Sequence, residues 1–162
     1  MATYYIKQKV LSLLDHFTVR DASGRDCFVV EGQWALMKNL VLKDMNGSEL
    51  AQIKGKFALL TTFEIYQDGV LNAKVRQEFS FLKTKISVEG PNWDIVGNWM
   101  SSQFNITDMD GGQHASISRE LWTWGDSYRI DIADGEPEIL LLCVVIAIDA
   151  ILEAMQASHS AS

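Results

Sequence analysis

Apolar and polar residues alternate along most of the chain. In residues 82–88 the apolar side chains share one parity and two lysines share the other. Residues 53–57 and 71–76 repeat this arrangement, again with lysine or arginine on the polar parity. Alternation with a period of two predicts β-strands that bury one face in a core and turn the other face to water.

A strand–turn–strand unit recurs at residues 17–34, 40–57, 63–79 and 104–121. Three of its turns read D-x-x-G, and the fourth also ends in glycine. Aspartate at the first turn position accepts a hydrogen bond from the backbone two residues on, and glycine at the fourth takes a positive φ without steric cost. Each unit therefore predicts a β-hairpin, and such hairpins must share one sheet or barrel to bury their apolar faces.

The whole chain contains about twelve candidate strands. They lie near residues 4–8, 15–20, 26–31, 38–43, 49–54, 57–66, 70–77, 83–88, 93–98, 104–107, 114–119 and 127–132. A dozen short strands over about 130 residues are typical of a barrel or a sandwich, so we predict a mainly β fold.

The last element breaks this pattern. Pro137 suits the first position of a helix, and Glu136 and Glu138 suit its positive end. Residues 139–148 read ILLLCVVIAI, which is apolar on every side and must therefore be buried in protein or lipid. Because a bilayer span needs about 20 apolar residues, we expect a buried core helix, with membrane insertion and burial on oligomerisation as alternatives. An antiparallel barrel closed around this central helix buries it on all sides and exposes no sheet edge.

Asp149 interrupts the apolar helix. A lone carboxylate in apolar surroundings is costly without a partner. We expect Asp149 to lie near the barrel mouth, bonded to backbone or solvent. The alternative is a functional ionisable group.

The composition agrees with one soluble domain. The chain has 162 residues, which predicts a barrel domain over 1–156 and a polar tail over 157–162. Its net charge of −7 argues against nucleic-acid binding. The charge is uneven, with 12 basic and 9 acidic residues in 1–85 but 2 basic and 12 acidic residues in 86–162. One side of the molecule is thus expected to be basic.

The cysteines and the N-terminus favour a cytoplasmic location, including a peripheral position at the inner face of the membrane. Cys27 and Cys143 are the only cysteines and lie far apart in sequence. Free buried thiols are expected, although spacing alone leaves a disulfide open. The first ten residues, MATYYIKQKV, have neither the apolar core nor the cleavage site of a signal peptide.

Motifs for catalysis or metal binding are missing from the sequence. There is no G-x-S-x-G, P-loop, H-E-x-x-H or C-x-x-C. The stretch from Asp108 is similar to the start of a calcium loop, but the required glycine and glutamate are replaced by Gln113 and Arg119. The three scattered histidines, His16, His114 and His159, are expected to be structural. We expect no cofactor and no metal, while a triad assembled by folding stays open.

Two further groups of residues are candidates for binding. Four tryptophans, Trp93, Trp99, Trp122 and Trp124, are expected to pack at the junction of sheet and helix, with ligand stacking as the alternative. Six basic residues fall on the polar parity of three strands and are the candidate headgroup-binding site: Lys54, Lys56, Lys74, Arg76, Lys83 and Lys85. Strand pairing that gathers them forms an exterior patch for a phosphorylated headgroup, and an ordinary solvated face is the alternative.

The order of several short motifs over residues 4–155 resembles the LURP-one-related family of the tubby C-terminal-like superfamily, in its short bacterial form. The motifs are YIKQ at 5–8, DHFTV at 15–19, FSF at 79–81, VEGPNW at 88–93, FNITD at 104–108, ISR at 117–119, WTWGDSY at 122–128 and VIAIDA at 145–150. The resemblance implies a twelve-stranded antiparallel barrel around a central hydrophobic helix. Gly112, which follows Gly111, is a mild departure that should loosen its turn.

The resemblance implies little about activity. Tubby proteins bind phosphoinositide headgroups on the barrel exterior, and plant LURP-one-related proteins are associated with defence, but no functional residue carries over one to one. We expect a non-enzymatic barrel module that binds a protein partner or an anionic, phosphoinositide-like lipid headgroup with its exterior. The alternative is a small-molecule enzyme or carrier that uses the barrel mouth. The central helix decides between them, since a filled barrel leaves no lumen for a substrate.

Overall fold

A computed structural model describes residues 1–7, 16–33, 36–56, 60–79, 84–122 and 125–160. These residues form twelve strands, a short 3-10 turn at Trp99–Ser101 and one helix. The elements are β1 (Ala2–Lys7), β2 (His16–Asp21), β3 (Asp26–Gln33), β4 (Asn39–Asp44), β5 (Glu49–Lys56), β6 (Thr62–Gln67), β7 (Val70–Phe79), β8 (Thr84–Glu89), β9 (Trp93–Asn98), β10 (Gln103–Thr107), β11 (Gln113–Trp122), β12 (Gly125–Ile132) and α1 (Glu138–Ser160).

The strands form a closed antiparallel barrel. Each strand pairs with its neighbours in the chain, and β1 closes the ring by pairing with both β2 and β12. The predicted mainly β barrel of about twelve strands with a C-terminal helix is confirmed. The sixth strand differs from its prediction, because it begins at Thr62 instead of residue 57, and residues 57–59 lie outside the described part of the chain.

The D-x-x-G turns form as their chemistry requires. In the β4–β5 turn, Asp44 Oδ1 accepts hydrogen bonds from the backbone N–H groups of Asn46 and Ser48, both at 2.9 Å. Gly47 has a φ of 88°, a conformation that a side chain would strain. We call the barrel end that holds the five strand-joining turns at 22–25, 45–48, 68–69, 90–92 and 108–112 the turn end. The opposite end, which holds Leu36–Lys38, Phe79 and Trp99–Ser102, is the loop end.

The helix fills the barrel. It enters at the turn end, and residues 140–148 and 150–152 are all buried. Inward side chains of the strands surround it and are 0% exposed at Val19, Val30, Leu42, Ile53, Ile65, Val75, Ile86, Ile106 and Ile130. The predicted buried core helix is confirmed. It continues to Ser160, so residues 157–160 of the predicted polar tail are helical.

The N-terminus is tied to the start of the helix. The Tyr4 hydroxyl donates a hydrogen bond of 2.5 Å to Glu138 Oε2, and the terminal amine of Met1 pairs with Asp134. Cys27 is half-buried on β3 and Cys143 is buried on α1, and both are free thiols. The disulfide that the sequence leaves open does not form. Within the described residues, α1 does not meet the length and apolarity that a membrane-crossing helix requires.

Candidate functional site

A small cavity of about 10 Å³ lies beside the last buried turns of the helix, lined in part by Ser102, Tyr128, Val145 and Asp149. This volume is close to the minimum that one water molecule needs. The cavity is therefore too small for a substrate, which normally occupies a pocket of several hundred Å³.

Asp149 lies at this cavity and is half-buried. The Tyr128 hydroxyl, on an inward position of β12, donates a hydrogen bond to Asp149 Oδ1. The sequence led us to expect a backbone or solvent partner for Asp149, and the structure adds the Tyr128 hydroxyl as a partner. A tyrosine twenty-one residues away cannot be identified as a partner before the fold is known.

Among the described tryptophans and histidines, Trp93, Trp99 and His114 pack against neighbouring residues. Trp93 and Trp99 are 6% and 7% exposed, so their rings belong to the core. Trp93 packs on the ring of His114 at 5.1 Å between centroids, and His114 Nδ1 lies 2.7 Å from Glu136 Oε2. His16 lies on β2 with its ring largely exposed. The side chains of Trp122 and His159, and all of Trp124, lie outside the described part of the chain.

The described His, Cys, Asp and Glu side chains contain no group of three that is suited to a metal ion. His114 is the closest approach to such a group, since its two ring nitrogens face Glu136 at 2.7 Å and Asp108 at 3.6 Å. These contacts tie the β10–β11 turn to the segment that leads into the helix. Their arrangement is that of a structural clamp at the turn end.

Five of the six predicted basic residues lie on one outer face. Lys54 and Lys56 are on β5, Lys74 and Arg76 are on β7, and Lys85 is on β8. Lys83 lies outside the described residues. We define the basic wall as the outward side chains of β5–β8 at Lys54, Lys56, Glu64, Tyr66, Lys74, Arg76, Glu78, Lys85 and Glu89.

Strand register interleaves carboxylates among these cations. One row across the wall reads Lys54, Glu64, Lys74 and Glu89 on four consecutive strands. The next row reads Lys56, Thr62, Arg76 and Ser87. The sequence did not identify these two glutamates as neighbours of the cations, because they lie on β6 and β8 and meet the lysines only across strands. Only cross-strand register places Glu64 between two lysines.

Two of the cations are neutralised by these glutamates. Lys56 Nζ lies 3.0 Å from Glu64 Oε1, and this hydrogen bond raises the pKa of Lys56. Arg76 pairs with Glu89 through its terminal nitrogen. The Arg76 Nε–H is buried and finds no acceptor among the described residues. Glu78 is held separately, since it accepts a hydrogen bond of 2.9 Å from the Ser87 hydroxyl.

The other three cations are available to a ligand. Within the described part of the chain, no carboxylate lies within 4.0 Å of the amines of Lys54, Lys74 or Lys85, which we call the available lysines. Lys54 Nζ lies 4.9 Å from the centroid of the Tyr66 ring, in cation–π contact. Lys54 and Lys74 lie on either side of β6, about 10 Å apart at the backbone. Their long side chains can converge on one anion placed above Glu64.

The chain is similar to a protein family, a bacterial protein and a solved plant structure. Residues 2–149 match the family model described as LURP-one-related. The chain is 32% identical over 154 residues to the uncharacterized protein YxjI of Bacillus subtilis strain 168, covering 94% of each chain. It is also similar to an X-ray structure of an Arabidopsis thaliana protein with a tubby-like fold, with a TM-score of 0.63 and 15% identity over 92% of this chain and 90% of that one. At that identity the likeness shows the fold alone.

Proposed function

The chain belongs to the LURP-one-related family, and from that premise we propose that it is a non-enzymatic barrel module whose basic wall binds a phosphate-bearing anionic headgroup. One observation carries the proposal. Lys54 and Lys74 flank Glu64 across three strands, yet Glu64 is engaged by Lys56 and leaves both amines available. Such a role suits a cytoplasmic protein that works at the inner face of the membrane.

The filled interior supports a function on the exterior. The helix is buried inside the barrel, and the cavity beside Asp149 holds only about 10 Å³, which is too little for a substrate. The proposal therefore assigns binding to the outer face and assigns no chemistry to the chain.

The chemistry of the wall supports a phosphate over a carboxylate ligand. Lysine amines act as compact, strongly hydrated point charges, and two of them share the several oxygens of a phosphate readily. The Tyr66 hydroxyl lies in the next row toward the turn end, where it can donate to a second oxygen. Lys85 lies on β8, four residues nearer the loop end than Lys74, or roughly 13 Å along the strands, so a phosphate held by Lys54 and Lys74 does not reach it.

A protein partner is the other ligand class that the basic wall admits. Stable protein interfaces usually contain a buried apolar centre with aromatic or aliphatic anchors. The outward positions of the basic wall are charged or polar, and Tyr66 is its single aromatic side chain. The wall therefore favours a small, highly charged ligand over a protein surface.

The soluble headgroup inositol trisphosphate tests the proposal without a membrane. We expect it to bind wild-type protein at low salt in calorimetric titration, and to lose at least about tenfold in affinity in the Lys54→Gln/Lys74→Gln variant. Arg20→Gln/Arg129→Gln is the matched control, since it removes the same charge from cations paired with Asp26 at 2.7 Å and Asp131 at 2.9 Å.

Two results would contradict the proposal. One is a wild-type protein that does not bind the headgroup at low salt. The other is an equal loss of affinity in both double variants, which would mean that net charge and not the basic wall attracts the ligand. The enzyme alternative predicts a different result. A substrate bound at the barrel mouth would contact Ser102 and Tyr128 and would not contact the lysines of the basic wall.

A further inference from the structure

Two exposed apolar side chains bracket the basic wall at the loop end. Leu36 is 88% exposed and Phe79 is 74% exposed. Leu36 lies two residues before Lys38, whose carbonyl accepts a hydrogen bond of 2.8 Å from the Gly55 N–H on β5. Phe79 ends β7 and pairs with Thr84 at the start of β8. We call these two side chains the tips: Leu36 lies beside the β5 edge of the wall, and Phe79 lies at the loop end of β7, next to β8.

Cations of the basic wall lie directly beside these tips, of which Lys85 is available and Lys56 is paired with Glu64. Lys85 follows Thr84 and sits opposite Glu78, within one residue of Phe79 on the paired strands. Lys56 is the last residue of β5 and lies next to the segment that carries Leu36. Apolar side chains that project beyond a cationic face are the pattern by which proteins enter the interface of an anionic bilayer.

The turn end has the opposite character. Its turns and the approach to the helix carry Asp21, Asp44, Asp68, Asp108, Asp110 and Asp134. Its exposed methionines stand beside these acids, since Met45 follows Asp44 and Met109 lies between two aspartates. These acids outnumber the one cation of the described turns, Arg25, which pairs with Asp21, so an anionic surface is repelled by this end. At the loop end Glu153 is paired with Lys38 and Glu78 accepts a hydrogen bond from Ser87, so charge complementarity selects the loop end.

We infer that the barrel docks on an anionic lipid bilayer by the edge where the loop end meets the basic wall, with Leu36 and Phe79 inserted among the lipids. The inference rests on the proposed function, because the same orientation brings the available lysines to the headgroups. It adds the source of the headgroup, which is a membrane and not a free phosphate, and the orientation of the barrel on that membrane.

Sedimentation with lipid vesicles tests the docking edge. The vesicles are phosphatidylcholine alone or phosphatidylcholine mixed with phosphatidylserine and phosphatidylinositol bisphosphate. We expect wild-type protein to sediment with the mixed vesicles, and Leu36→Ser/Phe79→Ser to lose at least about tenfold in partitioning, since burying each tip is worth about that factor. Met45→Ser/Met109→Ser, which removes exposed apolar side chains from the turn end, is the matched control and should partition like wild type.

A second measurement does not depend on losing a side chain. In Phe79→Trp the added indole should emit at shorter wavelength when mixed vesicles are present, because it enters a less polar environment. Unchanged emission, equal partitioning of the two serine double variants, or equal binding of wild type to phosphatidylcholine alone would each overturn the inference.

The soluble headgroup separates this inference from the proposed function. Leu36→Ser/Phe79→Ser should bind inositol trisphosphate like wild type, because neither tip belongs to the basic wall. Headgroup binding without tip-dependent vesicle binding overturns the docking edge and leaves the proposed function standing. Tip-dependent vesicle binding without headgroup binding overturns the proposed function, and with it the claim that the docked barrel brings the available lysines to the headgroups, while the docking edge itself stands.

Discussion

The inward and outward positions of the same strands obey different rules. On β7, Ala73 and Val75 are at most 1% exposed and pack toward the helix, whereas Lys74 and Arg76 between and beside them face outward. The inward apolar side chains all fill space in the core. The outward cations of one strand differ from each other, because Arg76 is paired with Glu89 and Lys74 is available.

The two cysteines give the largest expected contrast between inside and outside. Cys143 is 0% exposed within the helix, and burial raises its pKa to about 12. Its thiol should react with Ellman's reagent only when the barrel opens, at least about a thousandfold more slowly than the half-buried Cys27. Time-resolved absorbance of native protein measures both rates. Cys27→Ser should abolish the fast phase, and a single fast phase of two thiols in native protein would show that the helix is not enclosed.

Truncating the centre of the helix should cause the largest loss of stability. Ile146 is 1% exposed and surrounded by inward strand residues. We expect Ile146→Ala to lower the free energy of unfolding by about 3 kcal/mol, from lost burial and the cavity left behind. Val96→Ala, on an outward position of β9 that is 53% exposed, should cost less than about 0.5 kcal/mol. Urea unfolding of both variants measures the two losses of stability. Equal losses would contradict the prediction.

The next largest loss of stability is expected on removal of the Tyr128 hydroxyl, at the mouth of the barrel. Tyr128 is 4% exposed and donates to Asp149. Removing a hydrogen bond to a carboxylate in a buried setting should make Tyr128→Phe less stable by about 2 kcal/mol. Tyr66→Phe changes the same atom on the outer wall and should leave the urea midpoint nearly unchanged. A midpoint for Tyr128→Phe that matches wild type would mean that the bond adds nothing to stability.

A smaller effect on stability is expected at the turn end. There the pKa of Tyr4 determines whether stability rises or falls with pH. Burial and the hydrogen bond to Glu138 raise the pKa of Tyr4 above its ordinary value of 10.0. The fold thus favours the protonated phenol, so its contribution is fully present below pH about 10 and is lost as pH rises through the higher folded pKa.

Replacing Tyr4 tests that sign. Tyr4→Phe should lose about 1 kcal/mol at neutral pH. Urea midpoints measured from neutral pH to above pH 10 should then converge, as wild type loses its advantage. Parallel curves for the two proteins over this range would contradict the assignment to Tyr4.

The sequence predicted the inside of this molecule far better than the outside. Period-two alternation and the D-x-x-G turns are local signals, and an apolar helix has few places to be buried, so strands, turns and closure followed from them. The parity of Lys54 and Lys74 was readable in the same way. Their availability was not, because it depends on Glu64 engaging Lys56, a contact between strands whose register no local pattern specifies. The Tyr128–Asp149 bond joins β12 to α1 and could not be predicted either, because it depends on how the helix sits inside the barrel.

The smallest expected effect compares two lysines on one strand. Lys56 is paired with Glu64, and the pairing raises its pKa, so its contribution to stability is present at neutral pH and is lost only at strongly alkaline pH. Lys56→Gln should therefore cause a slight loss of stability that disappears at high salt, as for other exposed ion pairs. Lys54→Gln breaks no described ion pair and should leave the unfolding curve at low salt unchanged while weakening headgroup binding. If Lys54→Gln destabilises the fold as much as Lys56→Gln does, Lys54 serves the fold in the way that the inward residues do, and its place in a binding site is wrong.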